Sequence, residues 1–151
     1  MENRIVLSME CKSYPFNVLG NYRYADVVAT YKGQWVLCKH KKRITWENAG
    51  GHIENGETPL EAAKRELFEE TGAVDFDINP LCDYWTYVKY NGVQVEGNGQ
   101  VFFANIFSFV DIPSNSEMEK ICFFESFPNN LTYPEYAKEI YPLAIERKNT
   151  G

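Results

Sequence analysis

Residues that bind transition metals are scarce in this 151-residue chain, which has only two histidines, His40 and His52. The four cysteines stand tens of residues apart without a CxxC pair: Cys11, Cys38, Cys82 and Cys122. A zinc site of the usual ligand spacing is therefore excluded. Unpaired cysteines, together with an N-terminus (MENRIVLSMECK) that lacks the pattern of a secretory signal, predict a cytoplasmic protein.

The chain also lacks a long apolar run and an excess of positive charge. Its longest apolar stretch, 101–110, is interrupted by Asn105 and Ser108 and is about half the length that a bilayer requires. We therefore predict a buried strand there and no membrane partner. The net charge of −6 argues against binding a nucleic acid polymer through its phosphates. This net charge is compatible with small anionic ligands, because a bound cation can recruit them.

No internal repeat, low-complexity tract or flexible linker divides the sequence, so we treat 1–151 as one domain. Strands are predicted at 4–9, 23–31, 34–39, 44–53, 80–90, 93–109 and 120–125. The Asn91-Gly92 pair predicts a hairpin turn, because both residues tolerate positive φ. Only two segments are predicted to be helical, one after Thr58 and one near 134–147.

The first helix has clear start and stop signals. Thr58 is the predicted N-cap, Pro59 takes the first helical position, and Glu61 completes a capping box. Gly72 supplies the C-terminal stop. At 100° per residue, one stripe of this helix carries Leu60, Ala63, Leu67 and Thr71.

Three carboxylates crowd the edge beside that stripe: Glu66, Glu69 and Glu70. A solvated acidic face is one interpretation. Like charges at this spacing destabilise a helix by a few tenths of a kcal/mol per pair, and a hard divalent cation would remove that cost.

The wider segment GHIENGETPLEAAKRELFEETGA closely resembles the Nudix box. This resemblance favours a bound cation over a solvated acidic face. All seven fixed positions of the box are occupied, by Gly51, Glu57, Arg65, Glu66, Glu69, Glu70 and Gly72. A chance match of this kind has a probability of about 10⁻⁶ at average residue frequencies. The chain departs from the family pattern at Ala73, which is smaller than usual, and at Asn48-Ala49, where an aliphatic residue and proline are more common.

This resemblance implies an α/β fold, an α/β/α sandwich around a mixed β-sheet, with the box as a loop, a helix and a loop. It also implies hydrolysis of a nucleoside diphosphate linked to another group, with Mg²⁺ or Mn²⁺ as the cofactor. The family's metal ligands map onto the carbonyl of Gly50 and onto Glu66, Glu69 and Glu70. Glu57 matches a position that supports the helix or a second metal, and Arg65 matches one that orients the carboxylates.

The reaction needs both cations and a proton acceptor. Water attacking a polyphosphate is repelled by the substrate's charge, so a carboxylate cluster helps only if it holds cations. Within the box, Glu66 is the candidate general base. Some family members use an acid from a later loop, and Glu117 fits that position here better than Glu119. A solvated loop acid is the alternative interpretation of Glu117.

Three residues are candidates for binding the substrate. Lys39 opens the basic run KHKKR and resembles the strand-end cation that contacts phosphate in MutT-like members, although such runs are commonly solvated loops. Asn130 lies in FPNNLTYP, a segment similar to the one in which an asparagine reads the purine; loop capping is the alternative. Trp85 alternates with Tyr87 and Tyr90, a pattern that suits base stacking or core packing.

The compact length and the LTYP tail favour a MutT-like nucleoside triphosphate pyrophosphohydrolase of the 8-oxo-dGTP type, giving a nucleoside monophosphate and pyrophosphate. The expected partner is a small nucleotide. The sequence leaves open whether the protein forms a homodimer. The alternative substrates are a dinucleoside polyphosphate or a nucleotide sugar. A non-catalytic nucleotide-sensing module is disfavoured because every box carboxylate is present, and an isopentenyl-diphosphate isomerase is disfavoured by the sparse Cys and His residues.

Overall fold

A mixed β-sheet forms the middle layer of the protein. The computed structural model describes residues 5–151. Its strands are β1 (Val6–Tyr14), β2 (Tyr22–Tyr31), β3 (Gln34–His40), β4 (Trp46–Glu47), β5 (Ala49–His52), β6 (Ala73–Tyr90), β7 (Val93–Phe109) and β8 (Met118–Phe124). The helices are α1 (Pro59–Thr71), between β5 and β6, and α2 (Pro134–Thr150), after β8.

The sheet has the order β1-β6-β7-β2-β3-β4, with β5 on β2 and β8 on β3. Strands β2 and β7 are parallel, whereas the other pairs are antiparallel. The two longest strands, β6 and β7, form a hairpin that turns at Asn91-Gly92, where Gly92 has a φ of 81°. The hairpin confirms the predicted turn, and the parallel β2–β7 pair makes the sheet mixed.

Alternate residues of β2 face two different cores, one on each side of the sheet. Ala25 and Val27 pack with Leu67 of α1, and Val28 packs with Ile140 of α2. The helices therefore cover opposite faces, which confirms the expected α/β/α layering. In residues 5–151 no helix has the length and apolar character needed to cross a membrane.

Most predicted strands are confirmed, with different ends. The prediction at 4–9 corresponds to β1, which extends to Tyr14, and residue 4 lies outside the described residues. The single strand predicted over 44–53 is wrong, because β4 pairs with β3 whereas β5 pairs with β2, and Asn48 lies between them. The strand predicted at 80–90 begins at Ala73, since the long partner β7 pairs with it as far as Phe109.

Candidate active site

Helix α1 is fixed at both ends by its own residues. The hydroxyl of Thr58 accepts a hydrogen bond from the amide of Glu61 at 3.1 Å, and the Glu61 carboxylate accepts one from the Thr58 amide at 2.9 Å. Gly72 ends the helix in the left-handed region with a φ of 79°, and a Cβ at this position would collide with the carbonyl of Val110. The predicted caps are therefore confirmed. Of the predicted apolar stripe, Ala63, Leu67 and Thr71 are buried, whereas Leu60 is 38% exposed.

Arg65 is the centre of the acidic edge of α1. Its Nε and Nη2 atoms donate to both oxygens of Glu57, at 2.6 and 2.9 Å. Its Nη1 donates to Glu66 and to Glu69, each at 3.2 Å, while Nη2 also donates to the carbonyl of His52 at 3.1 Å. The hydrogen bond from Arg65 lowers the pKa of Glu57 to about 2. The guanidinium thus fixes the loop before α1 and orients two of the box carboxylates.

Glu66 and Glu70 lie beneath this surface, against β5. The amide of Gly50 donates to Glu70 at 2.9 Å, and a Cβ on Gly51 would collide with the carboxylate of Glu66. Burial raises the pKa of Glu66 to about 7 even though Arg65 opposes the shift, and repulsion from Glu69 adds to it. Burial and repulsion from Glu66 raise the pKa of Glu70 well above its ordinary value. Two carboxylates held in this way are strong candidates for neutralisation by a cation.

The candidate metal ligands at this edge are of a type that suits magnesium. They are carboxylate and carbonyl oxygens, which hard divalent cations prefer. In the described part of the chain, no three His, Cys, Asp or Glu side chains are gathered as a group that would hold an ion, and Arg65 lies between Glu66 and Glu69. The side chains would therefore have to rearrange around a bound ion, and Glu69, which is about half exposed, has the freedom to do so.

Two more acids lie near the end of β3: Glu117, just before β8, and Glu119, in β8. Glu117 is 3.4 Å from the Nε2 of His40 and is largely exposed. It is close enough to Glu66 that its charge contributes, after burial and the nearer charged groups, to the raised pKa of Glu66. Glu119 instead accepts a hydrogen bond from the Nζ of Lys39 at 2.8 Å. Of the two acids, Glu117 therefore lies nearer to the box, and Lys39 is held by a partner.

Asn130 and Trp85 lie away from this edge. The side chain of Asn130 donates to the carbonyl of Ile44 at 3.2 Å, and its own carbonyl accepts from the Trp46 amide at 3.0 Å, so it joins two loops. Trp85 donates to Glu96 at 2.6 Å and stacks on Tyr87. Neither Asn130 nor Trp85 lines the cavity described next.

A cavity of about 310 Å³ opens on the α2 side of β5 and includes Gly50 and Gly51 in its wall. Its other lining residues include Tyr24, Asp26, Glu47, Tyr84, Tyr133 and Tyr136. None of these six was a site residue predicted from the sequence, although Tyr90, which was named with Trp85 and Tyr87, also lines the cavity. Asp26 carried one signal in the sequence, because it is a charged residue in the apolar run ADVVA of β2. In the structure, burial raises its pKa to about 7.

Comparison with known families agrees with the geometry of the box. A model of the NUDIX domain matches residues 22–128, which include β2 to β8 and α1. The chain therefore belongs to the Nudix hydrolase family.

Its relatives carry two different functional names. The chain is 29% identical to the Bacillus subtilis protein named "Putative 8-oxo-dGTP diphosphatase YtkD", over 87% of this chain and 77% of that one. It is also 36% identical to an RNA pyrophosphohydrolase of Francisella philomiragia, over 35% of this chain and only 34% of that protein. The second match is limited to 53 residues.

Solved structures extend the similarity to the whole fold. The structure of a mutant of the Bacillus subtilis pyrophosphohydrolase BsRppH superposes with a TM-score of 0.74, at 23% identity, over 93% of this chain and 91% of that one. A structure described as UDP-X diphosphatase gives a TM-score of 0.64 at 20% identity, over 90% of this chain and 67% of the other. At these identities the likeness establishes the fold alone.

Proposed function

We propose that this Nudix hydrolase is a metal-dependent nucleoside triphosphate pyrophosphohydrolase that releases a nucleoside monophosphate and pyrophosphate. An oxidised guanine nucleotide of the 8-oxo-dGTP type is the candidate substrate. One observation carries the proposal: Glu66, Glu69 and Glu70 line one edge of α1, around Arg65 and beside Gly50. The name of the Bacillus subtilis relative supports the same substrate. The four free cysteines fit the cytoplasmic location that we expect.

In this proposal the metal ligands are the carbonyl of Gly50 and the carboxylates of Glu66, Glu69 and Glu70, with Glu57 and Glu117 at the margin. When bound, Mg²⁺ or Mn²⁺ would neutralise these acids, hold the phosphates and make a water molecule more acidic. Arg65 orients Glu66 and Glu69 through its Nη1. Glu66 is our candidate for accepting the proton of the attacking water, since its carboxylate is held against β5.

A nucleotide panel with phosphate detection tests the proposal. Purified protein should hydrolyse a triphosphate in Mg²⁺ or Mn²⁺, lose activity in excess chelator, and recover when the metal is restored. Turnover that is undiminished in excess chelator would exclude this mechanism.

Water labelled with ¹⁸O identifies the phosphorus that is attacked. We expect the label in the monophosphate, because the outer phosphates leave together as pyrophosphate. Label only in pyrophosphate would indicate attack at the next phosphorus. Release of orthophosphate from a triphosphate would reject the MutT-like assignment.

A second candidate substrate is the 5′-triphosphate end of RNA, which the names of several relatives favour. The net charge of −6 weighs against it, because an acidic protein gains little from the phosphates of a polymer. A competition assay separates the two candidates. If a 5′-triphosphorylated RNA oligonucleotide is hydrolysed in preference to an equal concentration of free triphosphate, the RNA end is the substrate.

A further inference from the structure

Asp26 is a buried acid in the wall of the cavity. It belongs to β2, whose neighbouring residues Ala25 and Val27 face α1. Asp26 therefore points to the other side of the sheet, towards α2, and only 8% of its surface is exposed. A Cβ at Gly50 would collide with its carboxylate. The position is thus defined by the backbone of β5 as well as by β2.

A network of hydroxyl and amide groups holds this carboxylate in place. The hydroxyls of Tyr84 and Tyr136 donate hydrogen bonds to Asp26. Asn48 donates to the Tyr136 hydroxyl at 3.3 Å and accepts from Tyr141 at 2.9 Å. Asn48 is one of the two residues at which the chain departs from the usual family sequence before the box. That departure and the acid in β2 therefore belong to one hydrogen-bonded unit.

The carboxylate of Asp26 has acceptor capacity left over. When it is ionised, at a pH above its raised pKa of about 7, the carboxylate has about four lone-pair sites, more than the two tyrosine hydroxyls occupy. Within residues 5–151, no Lys, Arg or His side chain forms an ion pair with it. Arg23 and His52 also line the cavity, but neither forms an ion pair with Asp26. A buried carboxylate without an ion-pair partner is strongly stabilised by further N–H donors.

The remaining walls of the cavity suit a flat aromatic ligand. Tyr24 and Tyr84 lie nearly parallel, with 9° between their planes, and Tyr136 meets Tyr84 edge to face. A Cβ at Gly99 would collide with the ring of Tyr84, so glycine at that position lets the ring lie over β7. Aromatic side chains of this kind stack with nucleobases and accept any base, so they do not choose among bases by themselves.

We propose that Asp26 selects the base of the substrate by accepting two adjacent N–H donors, as guanine offers at its N1 and 2-amino groups. This inference rests on the proposed function, because it assigns the cavity to the base of the nucleotide. 8-Oxoguanine has the same two donors. Adenine presents an acceptor at N1, which an ionised carboxylate repels. Hypoxanthine, which keeps the N1–H but has no 2-amino group, should be intermediate.

Calorimetric binding of GMP, IMP and AMP in the absence of metal tests the selection without requiring turnover. Wild-type protein should bind GMP at least about tenfold more tightly than AMP, with IMP between them. In Asp26→Asn the ratio of the AMP and GMP dissociation constants should fall by about ten- to a hundredfold, because an amide presents a donor where guanine needs an acceptor.

Asp83→Asn is the matched control. Asp83 is also a buried acid with a tyrosine hydroxyl and other donors, but it does not line the cavity. This variant should melt at a lower temperature and keep the wild-type preference for GMP.

Two results would overturn the inference. One is equal affinity of the wild-type protein for GMP and AMP, which needs no variant. The other is an Asp26→Asn protein that folds, as judged by its melting curve, and retains the wild-type ratio. If GMP is selected but no nucleotide is hydrolysed in Mg²⁺, the proposed function fails while the base selection stands. If nucleotides are hydrolysed without any base preference, the proposed function stands while the base selection fails.

Discussion

Two neighbouring acids of α1 have different surroundings although their spacing in the sequence suggests equivalent roles. Glu69 is about half exposed and accepts a hydrogen bond from Arg65, whereas Glu70 is buried and accepts one from the amide of Gly50. Burial and the nearby Glu66 raise the pKa of Glu70 well above its ordinary value, so its charged form is disfavoured in the metal-free protein. The two residues should consequently differ in what their removal does to stability.

We expect Glu69→Gln and Glu70→Gln each to lower kcat by about two to four orders of magnitude, because a metal ligand or proton acceptor is lost. The folds should survive. Glu70→Gln should leave the melting temperature of the metal-free protein at neutral pH equal or higher, since glutamine removes a buried charge and keeps an acceptor for Gly50. Steady-state kinetics at saturating Mg²⁺ and thermal melts measure both effects. If both variants keep more than about half of the wild-type kcat, the acidic edge is structural.

The sequence was sufficient to place the box carboxylates on one edge, but not to give the partners of the candidate binding residues, for a physical reason. The box lies on one helix with its preceding loop, so fixed spacing determines which side chains share an edge. Lys39 and Asn130 depend on partners far along the chain, namely Glu119 and the loop at Ile44. Asp26 stands out in the sequence only as a charged residue in an apolar run, and its surroundings become visible when β2, β5 and α2 are brought together.

At the scale of the element, the start of α1 is set by two reciprocal hydrogen bonds. Thr58→Ala removes the hydroxyl that accepts from the amide of Glu61 and should lower the free energy of unfolding by about 0.5–2 kcal/mol. Thr58→Ser is the control, because serine retains the hydroxyl. Urea denaturation measures the difference. Equal stability of the alanine and threonine proteins would show that packing alone fixes this helix start.

The buried carboxylate of Asp83 binds several groups of the segment between β1 and β2. Asp83 of β6 accepts hydrogen bonds from the amides of Asn17 and Leu19, each at 3.0 Å, and from Tyr22 and Gln100. Burial opposes ionisation, but these hydrogen bonds prevail and lower the pKa of Asp83 below its ordinary value. The ionised Asp83 carboxylate therefore stabilises the fold at pH values above the pKa that Asp83 has in the unfolded chain. This stabilisation is lost as the pH falls through the pKa of Asp83 in the folded protein.

Asp83→Asn should accordingly lower the free energy of unfolding at pH 7 by about 1.5–3 kcal/mol, the range for hydrogen bonds to a charged group. The difference from wild type should shrink as the pH falls below about 4, where the unfolded Asp83 becomes protonated. Urea titrations at several pH values measure this trend. A difference that stays constant down to pH 3 would contradict the role of the charge.

At the scale of the whole molecule, the sheet joins two separate cores. Leu67 of α1 and Ile140 of α2 are both fully buried, on opposite faces. Leu67→Ala and Ile140→Ala should each lower the free energy of unfolding by about 2–5 kcal/mol. If the two faces unfold together, fluorescence and circular dichroism will give coincident transitions in both variants. Leu60→Ala, at a partly exposed position of α1, should cost less.

The layered architecture was predictable from the box resemblance, whereas the extent of the sheet was not. Residues 74–79 alternate apolar and polar side chains, which favours a strand, but Asp75, Asp77, Asn79 and Pro80 are residue types that strands disfavour. In the structure they pair with the second half of β7. Pairing with a long partner outweighed these unfavourable residue types and agreed with the alternation.

The parallel pairing of β2 with β7 also orders the events of folding. The β6–β7 hairpin closes through the short Asn91-Gly92 turn, but contacts such as Thr30 with Asn105 join residues 75 positions apart. Closing so large a loop costs more chain entropy, and long-range pairing of this kind forms slowly. Helix α1 lies inside that loop. A chain emerging from the ribosome therefore completes the sheet that supports its carboxylate edge only after β7 has been synthesised and has docked on β2.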